Sequence, residues 1–394
     1  MSVAAQIVFW GCVALLAYVY AGFPLLVALW ARWRGRPVRQ ASITPAVSLV
    51  VAAYNEARGI AAKLDNALAL DYPRDRLEIV VASDGSDDGT EQIVAGYADR
   101  GVQLLVLPRR GKLHALDAAV AGTHGEILVF SDANTHFDLQ AVRMLARNFA
   151  DPTVGGVCGN QRHRRDTGRD SSGEGEKLYW SYDKALKALE SRTGSIVSAD
   201  GAIYAIRRSL YAKPASAAVT DDFAISTAVI EHGARLVYEP AAIAYEDTSG
   251  DARGEFERKV RIMTRGWQGV LLRRQLLDAR RYGFYAVVLW SHKVLRRLAP
   301  LCLLALLAAS LLAARSAPVL AAAAHAQAGF YALAFAGWLL KRSRAGRRGV
   351  LYAPFFFVLA NAAALVALSR LVRGQRVERW QPQRPAPGAT VPTR

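Results

Sequence analysis

VVAAYNE (Val50–Glu56) closes an apolar run that begins at Val47 and breaks abruptly into tyrosine, amide and carboxylate. An apolar run of that length suits a strand buried on both faces of a parallel sheet. Leu77–Ser83, Val102–Leu107 and Ile127–Ser131 repeat the pattern. Helical stretches separate them, Ile60–Leu70, Glu91–Asp99 and Leu113–Thr123, the last stopped by Gly122 or Gly125. Strands alternating with helices predict an α/β domain. The polar residues that end VVAAYNE, VVASDGSDDGT (Val80–Thr90) and VFSDAN (Val129–Asn134) then lie at the carboxyl ends of strands, where open α/β sheets bind ligands.

Beyond Phe149 the rhythm changes. Gln161–Gly175 is polar and reads as a flexible loop. Glu174–Glu190 reads as a helix with Leu178, Tyr182, Leu186 and Leu189 on one face. Phe256–Leu277 mixes arginines with large apolar residues and reads as one or two amphipathic helices on a membrane surface. The tail Gln381–Arg394 is Pro-rich and reads as disordered.

Apolar stretches near Val8–Trp30, Leu298–Ala314, Val319–Leu340 and Val350–Leu368 are candidate membrane helices, the second at the short end. The net charge of +17 is unevenly placed. Ala46–Gly250 carries −6, Asp251–Pro300 carries +8 and Leu301–Arg394 carries +11. Basic flanks around an acidic centre suit anionic lipid headgroups and argue against nucleic acid, whose binding domain should itself be basic. Arg32, Arg34, Arg36 and Arg39 follow the first apolar stretch and place the central domain in the cytoplasm. Three further crossings put the C-terminus outside, whereas the basic tail from Arg370 to Arg384 prefers the inside; the sequence leaves both open. Cys12, Cys158 and Cys302 have neither metal-ligand spacing nor a disulfide framework.

Several polar residues admit a chemical role beside a structural one. Tyr54 offers a ring for a base, with Asn55 and Glu56 beside it. Asp84 either contacts a nucleobase or ribose or belongs to a turn that Asp87 or Asp88 turns into a helix cap. Lys112 opens a helix, where a cation is electrostatically misplaced unless an anion such as a diphosphate shares the site. Asp132 and Asn134 point the same way from a strand end and suit a hard divalent cation, or else terminate the strand. Of the pair Asp221 and Asp222, one can cap a helix beginning near Phe223 and the other act as a general base. Arg265 can face a departing diphosphate or solvent, and Trp180 can stack on a sugar or anchor at the interface.

From Pro45 to Trp267 the ordered motifs resemble those of the membrane-embedded family 2 glycosyltransferases with a GT-A domain, among them hyaluronan, chitin-oligosaccharide, poly-N-acetylglucosamine and cellulose synthases. The resemblance implies a mixed, mostly parallel sheet and this organisation: a membrane helix over 1–31, a GT-A domain over 45–250, interface helices over 251–297, membrane helices over 298–370 and a basic tail over 371–394. It implies that Tyr54, Glu56 and Asp84 hold nucleobase and ribose and that Lys112 meets the diphosphate. Asp132 and Asn134 stand at the metal motif for Mg2+ or Mn2+, and Asp222 is the base of the Thr-acidic-Asp motif beside Asp221. Arg265 matches the arginine of Gln-x-x-Arg-Trp, followed by Trp267, and Asp200 and Gly201 lie in the loop lining the acceptor site. The implied partners are a UDP-sugar, a polysaccharide or lipid-linked acceptor and membrane lipids; the implied place is the bacterial inner membrane. Asn134, Ile262 and Gly266 depart from the family's Asp, Gln and Trp. A single-sugar transferase making a glycolipid, or an inactive nucleotide-binding scaffold, are the alternatives.

Overall fold

The computed structural model describes residues 2–164, 174–214, 216, 218–247, 252–315, 317–341, 343, 346 and 349–375. The Pro-rich tail expected to be disordered lies outside the described residues. Strand β1 (Val47–Ala53) is buried at every position, because parallel partners flank it on both sides: β2 (Leu77–Asp84) and β4 (Ile127–Asp132). Strand β3 (Val102–Leu107) extends the sheet beyond β2. Ala53 pairs with Ser83 and Ala52 with Asp132, so the three strands release their polar residues at one level.

The sheet continues past β4 with strands that do not read as strands in the sequence. They are β5 (Thr135–Phe137), β6 (Val154–Arg164), β7 (Ile203–Arg207) and β8 (Arg235–Asp247), and the spatial order is β3-β2-β1-β4-β7-β6-β8-β5. Strand β7 runs antiparallel to β4 and β6, and β5 antiparallel to β8. The sheet is therefore mixed and mostly parallel on its first half. The segment expected to be a loop from Gln161 is still strand up to Arg164, because β6 pairs with β8 as far as Arg164–Asp247.

Alternate residues of each strand feed two cores. Leu49, Val51, Ile79, Val81 and Val129 pack beneath helices Ile60–Leu68 and Ala141–Ala146. Val50, Ala52, Val80, Leu128 and Phe130 face the other way, towards helices Lys112–Ala121 and Asp221–Glu231. That second core continues without a break into Trp267, Tyr285, Leu289 and Ala367. One face of the sheet is thus covered by the helices that lead to the apolar part of the chain.

The chain is a membrane protein, and among the described residues four helices are long and apolar enough to cross a bilayer: Val3–Arg34, Phe284–Ala313, Pro318–Leu339 and Gly349–Val372. The stretch expected to be short at Leu298 is the second half of a 30-residue helix that starts at Phe284. Its early turns carry His292, Lys293, Arg296 and Arg297, which hide its length from a reading by apolar runs alone. The amphipathic stretch is a single helix, Ala252–Leu272, followed by a tight turn at Arg274–Leu277. It buries Val260, Trp267 and Val270, leaves Ile262 and Leu271 exposed, and sets the Lys259 ammonium 4.6 Å from the Phe356 ring centroid.

Candidate active site

The loop after β1 turns on Asn55, which adopts a left-handed φ of 54°. Asn tolerates that region because its short polar side chain bonds locally, and here Asn55 Oδ1 accepts from the Asp87 N–H at 2.8 Å. The Asn55 N–H donates to Ser86 Oγ and that of Glu56 to Thr90 Oγ1, so the first two strand-end loops are stitched together. Tyr54 lies under the Arg109 guanidinium, 3.5 Å from its ring centroid.

Asp84 and Asp88 divide the roles that the DGSDDGT turn offers. Asp88 caps, accepting from the N–H of Thr90 and of Ala57. Asp84 is fully buried and its carboxylate is engaged by Arg109 and by the N–H groups of Arg110 and Gly111. In this state it anchors the loop that delivers Lys112.

Lys112 joins strand end to helix start. Its Nζ lies 2.5 Å from Asp132 Oδ1 and 2.7 Å from Asp221 Oδ2. Burial works against its charge, but Asp132 and Asp221 outweigh burial and hold the ammonium above its ordinary range. Helix Asp221–Glu231 begins two residues earlier than the sequence suggests, so both acids sit in its first turn, where the helix dipole favours negative charge. They nevertheless diverge. Burial pushes Asp221 up, but Lys112 more than reverses this and its carboxyl ends below the usual value. Asp222 is pushed up to about 6, by burial and then by Asp221.

The turn after helix Glu174–Thr193 closes the cluster. A side-chain carbon at Gly201 would stand 3.6 Å from Asp132 Oδ2 and 3.9 Å from Asp222 Oδ2. Asp200, one residue earlier, is held by Lys187 at 2.6 Å. Asn134 donates its amide N–H to Glu246 Oε1 at 3.3 Å, so its amide oxygen is the atom it can offer to a cation. Among the described residues no three His, Cys, Asp or Glu side chains form a metal cage. Asp132 with the Asn134 oxygen is a small hard-oxygen donor set, which fits a divalent cation that takes its remaining ligands from phosphates and water. Arg265 is buried, donates to the Val219 carbonyl and lies within electrostatic reach of Asp221. Trp267 is a core residue with Arg297 5.7 Å from its ring centroid, and Trp180 is half-buried on its helix.

Lys112, Asp132, Asp221, Asp222 and Gly201 therefore converge directly, with Asp84 joined to them through Gly111 and Arg265 through Asp221. Two further residues border this cluster. Glu246, next to last in β8, reaches Asn134 through the β5–β8 pairing; burial and then Asp132 raise its carboxyl. Tyr204 is fully buried, stacks on Phe130 at 4.8 Å and is influenced by Asp221 and Asp222, yet its hydroxyl has no hydrogen-bond partner among the described residues. Glu246 belongs to no motif and is brought in by the fold alone, whereas Tyr204 closes the Ala199–Tyr204 stretch (ADGAIY) that resembles the family's acceptor-site loop.

Comparison with known proteins agrees with this architecture. The chain is 27% identical over 267 residues to the poly-beta-1,6-N-acetyl-D-glucosamine synthase of Staphylococcus aureus (strain COL), with 63% of each chain covered. The corresponding synthase of Staphylococcus epidermidis is 28% identical over 238 residues, covering 58% of this chain and 56% of its own. The chain thus spans less than two thirds of the length of these relatives. Among solved structures, the mannosyltransferase PcManGT from Pyrobaculum calidifontis, in complex with GDP-Man and Mn2+, superposes with a TM-score of 0.69 at 26% identity. That match covers 93% of this chain and 99% of the mannosyltransferase, sheet and apolar helices together. Residues 48–213, from β1 through β7, match the glycosyl transferase family 2 sequence profile, so over that stretch the chain carries a glycosyl transferase family 2 domain.

Proposed function

We propose that this chain is an inverting glycosyltransferase that moves a sugar from a nucleotide-diphospho-sugar to an acceptor hydroxyl at a membrane. The observation that carries the reading is the split between adjacent acids. Asp221 is tied to Lys112, while Asp222 faces Gly201 with a carboxyl near 6, the range of a working general base.

The acceptor oxygen bonds to the anomeric carbon as the bond from that carbon to the diphosphate breaks, and the acceptor proton passes to Asp222. In-line displacement inverts the anomeric centre. Lys112 and Arg265 offset charge on the departing diphosphate, and Tyr54, Glu56 and Asp84 border the nucleoside. Asp132 and Asn134 would hold a divalent cation, Mg2+ or Mn2+, which supplies further charge neutralisation at the diphosphate. Mn2+ accompanies GDP-Man in the solved relative and supports that choice.

The four arginines after the first apolar helix support a catalytic domain on the cytoplasmic side of a bacterial inner membrane. A polysaccharide end or lipid-linked sugar as acceptor follows from the apolar helices packed against the site's own core. The replacements Ile262 and Gly266 favour short products or a single addition over a long polymer. The donor nucleoside is open between uridine and guanosine, the latter being the one in the mannosyltransferase complex with GDP-Man.

Purified protein with Mn2+ is to be tested on a panel including UDP-N-acetylglucosamine and GDP-mannose, with products sized on a gel. Asp222→Asn should abolish transfer while leaving nucleotide binding near normal. Wild-type turnover in that variant removes Asp222 from the mechanism, and no nucleotide release from any donor leaves the inactive scaffold.

A further inference from the structure

A continuous chain of buried polar side chains runs from the membrane helix Phe284–Ala313 to the Asp200–Gly201 turn. Its first link is His292, whose Nδ1 lies 2.7 Å from Glu190 Oε1. Glu190 is fully buried, and its other oxygen accepts the Val197 N–H at 3.1 Å. His292 Nε2 is 3.5 Å from Asp183 Oδ1. Asp183 Oδ2 is 3.2 Å from Lys187 Nζ, which reaches both oxygens of Asp200 at 2.7 and 2.6 Å. The Asp200 N–H donates to Cys158 Sγ at 3.4 Å, and the next residue is Gly201, against Asp132 and Asp222.

Three of these groups come from one face of helix Glu174–Thr193, at positions 183, 187 and 190, spaced by turns of the helix. Ser191 Oγ accepts the Tyr238 N–H and so fixes that helix to β8. Burial works against the charge on Lys187, but Asp200 and Asp183 outweigh it and keep the ammonium protonated. Burial likewise opposes ionisation of Asp183, and Lys187 and His292 reverse it. The charges on Lys187 and Asp183 are therefore upheld by their neighbours in the chain. Such buried pairs add little net stability over apolar packing, but they impose geometry, and breaking one is costly.

The membrane end is itself specialised. His292 lies in a widened π-helical turn, Trp290–Leu295, and the first membrane helix has one at Tyr18–Gly22. Turns of that kind are rare and gather at functional sites. The two are joined by a 2.8 Å hydrogen bond between Tyr18 and Ser291, and Phe23 packs on the His292 ring. Tyr285, about two turns before His292, donates to the Val197 carbonyl at 2.9 Å. The segment 197–201 is thus gripped from the membrane side at both of its ends.

We propose that His292, Glu190, Asp183 and Lys187 are positioning residues that transmit the setting of the membrane helices to the Asp200–Gly201 turn and so hold it in register with Asp132 and Asp222. This rests on the transferase reading and adds to it a coupling between the bilayer part and the acceptor side of the site. The nucleoside side, built on Tyr54, Glu56 and Asp84, lies outside the chain.

The test uses the full chain in lipid nanodiscs with His292→Gln and Lys187→Met. Turnover is read with Mn2+ and GDP-mannose or UDP-N-acetylglucosamine, affinity with Mn2+ and GDP or UDP, and backbone hydrogen exchange over residues 197–202. The expected result is a split: kcat falls about tenfold, nucleotide affinity stays within about twofold, and exchange over 197–202 speeds up about tenfold. Lys187→Arg, which keeps the charge, should restore part of both losses. Normal kcat and normal exchange overturn the proposal. So does a uniform loss, in which thermal stability and nucleotide affinity fall together with kcat, and so does failure of both variants to fold. Hydrogen exchange needs no turnover: a wild type inactive on both donors sinks the transferase reading, while the exchange result still decides the chain.

Discussion

Arg297 lies against the bare backbone of Gly266: a Cβ built on that glycine would meet its Nη2 at 2.2 Å. A guanidinium from a membrane helix thus fills the space beside the last sequence motif, at the position where the family carries Trp. Because the obstructing atoms are the tip of a flexible side chain, Gly266→Ala should cost under about 1 kcal/mol, with Arg297 swinging aside. Gly125→Ala is the contrast. There the added carbon would lie 2.4 Å from the Ser48 backbone nitrogen, inside a buried strand, and the loss should exceed about 3 kcal/mol. Denaturation midpoints of the two variants check this, and equal losses refute it.

Lys112 neutralises two acids that a bound cation would otherwise draw together. Lys112→Met leaves Asp132 and Asp221 facing each other, both largely shielded from water, and should destabilise the protein by about 3 kcal/mol. A divalent cation can replace the missing charge. Millimolar Mn2+ should therefore raise the Tm of the variant by more than it raises that of the wild type. A metal-induced shift no larger in the variant would mean that Asp132 does not take part in cation binding.

The legible half of the fold is the half whose strands are buried on both faces. β1, β2 and β4 read as apolar runs because parallel neighbours and helices cover them, and their carboxyl ends carry Tyr54, Asp84 and Asp132 at a position that topology fixes. The other half is cryptic for a physical reason. β6 contains Gly155, Gly156 and Gly159 and ends in Gln161–Arg164, and β8 is interrupted by Pro240, so neither composition nor alternation marks a strand. Pairing with β7 and with each other overrides local propensity. In the site, the acids were legible as motifs, but their division of labour was not. That Asp84 is closed off by Arg109, that Asp221 rather than Asp222 meets Lys112, and that Glu246 stands beside Asn134 all depend on contacts between residues 25 or more positions apart.

Tyr204 offers a stability test free of chemistry. Its hydroxyl is buried without a partner among the described residues, and an unsatisfied buried polar group costs free energy. Tyr204→Phe keeps the stacking on Phe130 and removes that cost, so it should stabilise by about 1 kcal/mol, read as a higher Tm. A lower Tm would show that the hydroxyl serves a bond to one of the neighbouring carboxylates through water.

Asp222 links activity to stability through one carboxyl. Burial and then Asp221 push it from 3.8 to about 6, so the folded state holds that proton more tightly than the unfolded chain does. For a carboxyl whose folded value is raised, the favourable contribution is complete below the unfolded value and is lost as pH climbs from about 4 to about 6. Asp222→Asn removes the ionisation and should be more stable than wild type at pH 7, with the difference shrinking towards pH 4. The same group as general base must be ionised, so transfer should fall as pH drops through the region of 6 and below, tending to about tenfold per unit. A bound divalent cation adds positive charge nearby and moves that limb down, not up. Paired Tm and kcat profiles in one buffer series read both effects. An acid limb above pH 7, or an Asn variant less stable than wild type at neutral pH, would show that Asp222 does not carry the strained charge assigned to it.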